Sequence, residues 1–198
     1  MRKVLNVGGN SKAIPLPPQY QGWEHTLLDI DQRGKPDILA DARALTNLPA
    51  AQFDVVYCSH NLEHYYRHDC VKVLAGFRHV LKEDGLAHII VPDIGELIRV
   101  VNHHNLDIDD ALYQSPVGPV LVRDVLYGYG VEIERSGLDF YAHKTGFTQK
   151  SLTTILQKCG FNYVFIRSCN LQIQSFSFKN KPTEFATKLF ALPTASNY

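Results

Sequence analysis

The segment His60-Asn61-Leu62-Glu63-His64 places two imidazoles and a carboxylate within five residues. Read as H-x-x-E-H, it matches an inverted zinc-protease motif in which two histidines on one helical face bind the metal and Glu63 acts as base. That reading needs a settled helix ahead of His60. The preceding residues, FDVVYC at 53–58, have strand character instead, and a third ligand is not evident in the chain. No metal is therefore expected, and 60–64 reads as a turn after a strand, with His64 also able to pack or cap a helix. His143, in DFYAHKTGF, offers another imidazole, whose ordinary pKa near ~6.5 suits removing a proton from a hydroxyl group. Carboxylates stand at two further places, Asp29 and Asp31 in LLDID and Asp41 after DILA. Gly8-Gly9 ends the first apolar run, where the absence of a side chain lets the backbone approach a ligand.

The elements that must position these residues alternate between short apolar runs and stretches of helical period, the pattern of a parallel sheet with crossover helices. Strands are predicted at 3–7, 25–30, 37–40, 53–58 and 86–91. Helices are predicted at 69–81, where Val73, Leu74, Phe77, Val80 and Leu81 make one stripe, at 94–102 behind an Asp93 N-cap, and at 149–159 between Thr148 and Gly160. His103-His104 reads as a frayed helix end. A final pair, 162–168 and 172–178, is expected to form an antiparallel hairpin. The fold class is therefore α/β: a Rossmann-like, seven-stranded, mostly parallel sheet with a C-terminal antiparallel hairpin and helices on both faces. Residues 1–198 read as a single domain, with an irregular lid or substrate insertion at about 103–147 where periodicity fades. In such sheets ligands collect beyond the carboxyl ends of the strands, which is where the polar residues fall.

Composition narrows the partners. Of 198 residues, 45% are apolar and 20% charged, which is ordinary for a packed domain, and 20 Lys plus Arg balance 20 Asp plus Glu. No net field draws the chain to nucleic acid or to an anionic membrane, and no apolar run approaches membrane-spanning length. The four cysteines lack a C-x-x-C pair and read as reduced thiols of a cytoplasmic protein.

In order along the chain stand LNVGGN at 5–10, QGW at 21–23, LLDID at 27–31, DILADARALTNLP at 37–49, FDVVYCSHNLEHYY at 53–66, VLKEDGLAHIIVPD at 80–93 and DFYAHKTGFTQKSLTTILQKCGF at 139–161. The chain resembles the class I S-adenosylmethionine-dependent methyltransferases, and within them a compact bacterial branch. The resemblance covers residues 3 to about 161. It implies a glycine turn without a following helix, because S-adenosylmethionine carries no phosphate, and Pro15, Pro17 and Pro18 do forbid a helix there.

By the same resemblance Gly8, Gly9 and Asn10 would hold the cofactor, although the family usually has a small residue in place of Asn10. Asp29 would take the ribose hydroxyls, with Asp31 as its competitor, since an ionised carboxylate accepts two hydrogen bonds from a cis-diol. Asp41 would reach the adenine amino group with Ala42 beside the ring, unless Asp41 is a helix N-cap. Ser59 and His60 would face the cofactor after the fourth strand. His143, His64 and His60 are the candidates for the chemistry, and Trp23, Tyr65, Tyr66, Tyr127, Tyr129 and Tyr141 for an acceptor pocket. The implied activity is methyl transfer to a small-molecule or saccharide-like acceptor. A non-catalytic partner subunit is the alternative, and a zinc hydrolase using His60, Glu63 and His64 is less favoured. The family's usual helix before the first strand has no counterpart here, so a bare apolar face that a second subunit covers, as in a homodimer, is a further expectation.

Overall fold

The computed structural model describes residues 1–115 and 118–193. Its elements in chain order are β1 (Lys3–Val7), β2 (Glu24–Asp29), β3 (Ile38–Leu39), β4 (Phe53–Ser59), α1 (Arg67–Val80), β5 (Leu81–Pro92), α2 (Ile94–His104), β6 (Ala111–Ser115), β7 (Gly118–Leu121), α3 (Val122–Tyr127), α4 (Gly130–Ser136), α5 (Gln149–Lys158), β8 (Tyr163–Cys169), β9 (Gln172–Phe178) and α6 (Glu184–Leu189). Seven strands form one sheet in the order β3-β2-β1-β4-β5-β9-β8. The first five run parallel and the β8–β9 hairpin is antiparallel, so the expected fold class holds. Chain order reverses between β1 and β4. The crevice outside the strand ends at that switch point is where an open α/β sheet binds its ligand.

Two apolar layers hold the sheet. On one face Leu5, Val7, Val56, Cys58, Ala87 and Ile89 meet Val73, Leu74, Phe77 and Val80 of α1 and Leu152 and Leu156 of α5. Most of these side chains are wholly excluded from water, each worth about 1.5–3 kcal/mol on burial. On the other face Val4, Val55, Leu86, Phe176 and Phe178 are covered by Tyr20 of the proline-rich loop and by Ala186, Phe190 and Leu192 at the C-terminal helix α6. That covering corrects the expectation of a bare face beside the first strand. Tyr20 and the C-terminal segment of the same chain fill it.

Other differences are local. β5 starts at Leu81 rather than 86, with a register shift that places Leu81 opposite Phe53 and Leu86 opposite Val55, so residues 83–85 lie within the strand. His103 and His104 belong to the last turn of α2. The insertion is less irregular than expected, since a β6–β7 hairpin and α4 stand inside it beside the short helix α3. Residues 116–117 of that insertion lie outside the described residues. Cys58 and Cys70 are buried free thiols, whereas Cys169 is exposed. Among the described residues no helix is long and apolar enough to cross a membrane.

Candidate active site

A cleft of about 510 Å³ opens at the ends of β1, β2 and β4, within the range of small-molecule sites. Its floor is the turn after β1. Gly8 has φ +72° and Asn10 φ +60°, the left-handed region that glycine enters freely and asparagine tolerates better than most residues. A Cβ on Gly8 would lie 2.1 Å from the Asn61 amide nitrogen, and one on Gly9 would lie 2.1 Å from that of Asn6. The glycines thus admit two asparagine side chains that line the cleft. Gly34 does similar work from behind, since a Cβ there would strike the Asn10 carbonyl at 1.6 Å.

Asp29 closes β2 and is only 7% exposed. Its Oδ2 accepts the Asn10 N–H at 2.8 Å and its Oδ1 the Asp31 N–H at 2.9 Å. Each oxygen keeps lone-pair capacity for a further donor. Asp31 is spent differently. It accepts from the backbone and guanidinium of Arg33 and from the Tyr141 hydroxyl at 2.9 Å, and the guanidinium beside it holds its carboxyl at about 2. Arg33 in turn reaches Glu132 of α4 at 3.2 Å and the Tyr141 oxygen at 2.6 Å. This network ties the insertion across the cleft, and Asp139, Phe140, Tyr141 and Lys144 complete its wall.

Behind the cleft lies a second polar group. His60 (φ +49°) ends β4's chain path, and a 3-10 turn, Leu62–His64, follows. No α-helix carries both histidines, so the zinc-protease arrangement is not formed. Glu63 is 1% exposed, and neither of its carboxylate oxygens has a hydrogen-bond partner. Its main-chain oxygen accepts from Lys144 N at 2.8 Å and Thr145 N at 3.1 Å, which clamps the segment bearing His143 against the turn. His143 Nε2 stands 3.9 Å and His60 Nδ1 3.5 Å from Glu63 Oε1, and the His64 and His143 rings lie 4.9 Å apart. Burial pushes the His143 pKa down, opposed by the nearby Glu63 charge.

A family model described as a methyltransferase domain matches residues 16–89. Among solved structures the fold is similar to a SAM-dependent methyltransferase of Archaeoglobus fulgidus (TM-score 0.57, 17% identity, covering 89% of this chain and 85% of that one). It is also similar to the 1,6-didemethyltoxoflavin-N1-methyltransferase of Burkholderia thailandensis, solved with 1,6-didemethyltoxoflavin and S-adenosylhomocysteine (0.52, 17%, 90% and 72%). A third is a Thermotoga maritima SAM-dependent methyltransferase described as a possible histamine N-methyltransferase (0.56, 12%, 91% and 83%). No curated protein matches the chain. The methyltransferase-domain match over residues 16–89 thus sits within a chain whose fold is similar to that of SAM-dependent methyltransferases.

Gly8, Gly9, Asn10, Asp29, Asp31, Asp41, Ser59, His60 and His64 all line the one cleft. Three expectations need correction. Ala42 is 1% exposed and packs into the core beneath α1 instead of lining the cleft, because Gly76 admits the 42–45 turn there. Asp41 is the N-cap of the 3-10 helix Ala42–Asn47, and both its oxygens are engaged by Arg43, as the competing cap reading held. His143 stands outside the lining, its Nδ1 bonded to the Val125 carbonyl at 2.9 Å. Of the aromatics, Tyr65, Tyr66 and Tyr141 wall the cleft, Trp23 packs edge-on against Tyr20, and Tyr127 and Tyr129 are exposed. Sequence reasoning missed Asn6, Asn61, Arg33 and Gly34. Only Arg33, two residues beyond Asp31, carried a signal that could have found it.

These acceptors fit S-adenosylmethionine. Asp29 has acceptor capacity for a diol, Asn61 Oδ1 is a buried acceptor without a partner, and neither demands a phosphate.

Proposed function

We propose that this methyltransferase moves the sulfonium methyl group of S-adenosylmethionine onto a small-molecule or saccharide-like acceptor by in-line displacement. The observation that carries the reading is Asp29: a nearly buried carboxylate at the switch point, held at each oxygen by one backbone N–H and bordering the cleft. When bound, the cofactor supplies an electrophile that is already activated, so the protein chiefly aligns and dries the site. Asp29 would hold the ribose hydroxyls. Asn61 Oδ1 suits the ammonium group of the methionine end, over the bare main chain of Gly8 and Gly9. Asp41 borders the cleft where adenine would lie, its charge shared with Arg43. Tyr141, Phe140 and Lys144 cover the acceptor side, and His64 and His60 are the imidazoles placed to take a proton there.

Calorimetric titration with S-adenosylhomocysteine tests the reading. Asp29→Ala should weaken binding by about 100-fold or more, since hydrogen bonds to a charged group contribute about 1.5–3 kcal/mol each. An unchanged affinity would take the ribose role from Asp29. Absence of binding by the unaltered protein would favour the non-catalytic subunit instead.

A further inference from the structure

Glu63, His64 and His143 present one ligand atom each, all within 4.8 Å of one another. The two imidazoles are oriented by their other nitrogens. His64 Nδ1 lies 3.1 Å from the Ala142 carbonyl and His143 Nδ1 2.9 Å from the Val125 carbonyl. A carbonyl can only accept, so Nδ1 carries the proton in both rings and each neutral Nε2 is left as a bare lone pair. Backbone carbonyls that fix the tautomer in this way are the usual second support of a metal-binding histidine.

Between these rings sits a carboxylate that is 1% exposed and has no donor to either oxygen. Three lone-pair groups facing one another in a dry setting repel unless a positive charge stands among them. The third ligand that the H-x-x-E-H pattern lacked is thus supplied from eighty residues downstream, by the loop that Glu63's own carbonyl clamps.

We propose that Glu63, His64 and His143 form a binding site for a divalent transition-metal ion of the zinc class. Two imidazoles and one carboxylate are a ligand set such ions accept, with one coordination position left open in catalytic sites. Bonds of ~2.0–2.2 Å imply tetrahedral edges of roughly 3.3–3.6 Å, so the ligand atoms draw together by at most about 1.5 Å on loading. His64 and His60 border the cleft whereas Glu63 and His143 lie behind it, so the open position faces the acceptor side. An ion there would polarise an acceptor oxygen and ease its deprotonation, with His60 rather than the metal-bound His64 taking the proton. That last role rests on the methyl-transfer reading, whereas the binding itself does not.

The test uses full-length protein made without an affinity histidine tag, stripped with chelator, and titrated separately with Zn²⁺ and with Co²⁺ as an optical probe. The unaltered protein should take up one equivalent, with cobalt absorption of a four- or five-coordinate ion. Glu63→Gln and His143→Ala should each weaken uptake by about 100-fold or more. A double variant at the surface pair His103 and His104 should bind as before. Absence of uptake by the unaltered protein overturns the proposal whatever the variants do. So does uptake retained in His143→Ala, or lost in the His103/His104 variant while its melting curve is unchanged. Should Glu63→Gln or His143→Ala fail to fold by circular dichroism, His64→Ala takes its place under the same two outcomes. Cofactor titration of stripped protein is a separate readout, so failure of metal binding and failure of the methyl-transfer reading are distinguishable.

Discussion

Two polar clusters that hold histidines, one on a sheet face and one at the strand ends, are built by opposite rules. On the face covered by the chain termini, His88 of β5 is wholly buried and both ring nitrogens are partnered. Gln174 Nε2 donates to His88 Nε2 at 2.7 Å, which leaves Nδ1 with the proton, donated to the Tyr20 oxygen at 2.6 Å. Tyr57, Phe176 and Phe190 pack around the ring. At the strand ends, Glu63 is buried as deeply and its carboxylate has no donor. A satisfied buried network specifies a core, whereas an unsatisfied one costs stability and persists only where something else is required of it. The difference separates scaffold from site more sharply than residue type does, since histidines serve in both.

The contrast can be broken first at the satisfied cluster. Tyr20→Phe removes one partner of His88 and leaves a buried ring nitrogen unpaired, so unfolding free energy should drop by about 1–3 kcal/mol in a denaturant titration. A loss below measurement would mean the network is not structural. Next comes pH. Burial, aided by the Arg167 charge, pushes the His88 pKa down to about 3 from an ordinary 6.5. A depressed folded-state pKa contributes stability that is complete above the unfolded value and lost as pH falls through it. Stability should therefore decline from about pH 6.5 downward toward 3, by up to about 1.4 kcal/mol per unit. Tyr20→Phe should be measured over the same range, and melting temperature against pH reads both. The smallest effect is expected at the unsatisfied cluster. In metal-free protein Glu63→Gln replaces a buried carboxylate that accepts no hydrogen bond, so stability should change by less than about 1 kcal/mol or rise. A loss as large as that of Tyr20→Phe would erase the distinction between the clusters.

The sheet was legible because its signals are strong and redundant. Val4, Leu5 and Val7 in one run, or Val73, Leu74, Phe77 and Val80 at helical spacing, admit few other structures. The β6–β7 hairpin and α4 were not legible. They are short and mixed in polarity, and they are held by distant partners such as Arg33 on Glu132. At the site, Asp29 could be read from its place at a strand end. Its competitor Asp31 could not be told apart, because what separates them is Arg33 and Tyr141, the second of them 110 residues away. Glu63 was seen only as a motif letter, since burial without a donor is a property of the packed molecule. The meeting of His143 with His64 was hidden for the same cause: backbone bonds from the 144–145 segment to Glu63 bring them together, which no spacing rule reveals.

The central claim is that the crevice at the ends of β1, β2 and β4 grips an adenosine sulfonium compound through Asp29 and a glycine turn. Isothermal titration of the purified chain with S-adenosylhomocysteine tests it most directly. The account predicts saturable binding of a single equivalent that Asp29→Ala abolishes or weakens about 100-fold. A flat titration at millimolar ligand, from protein that melts cooperatively, would contradict it.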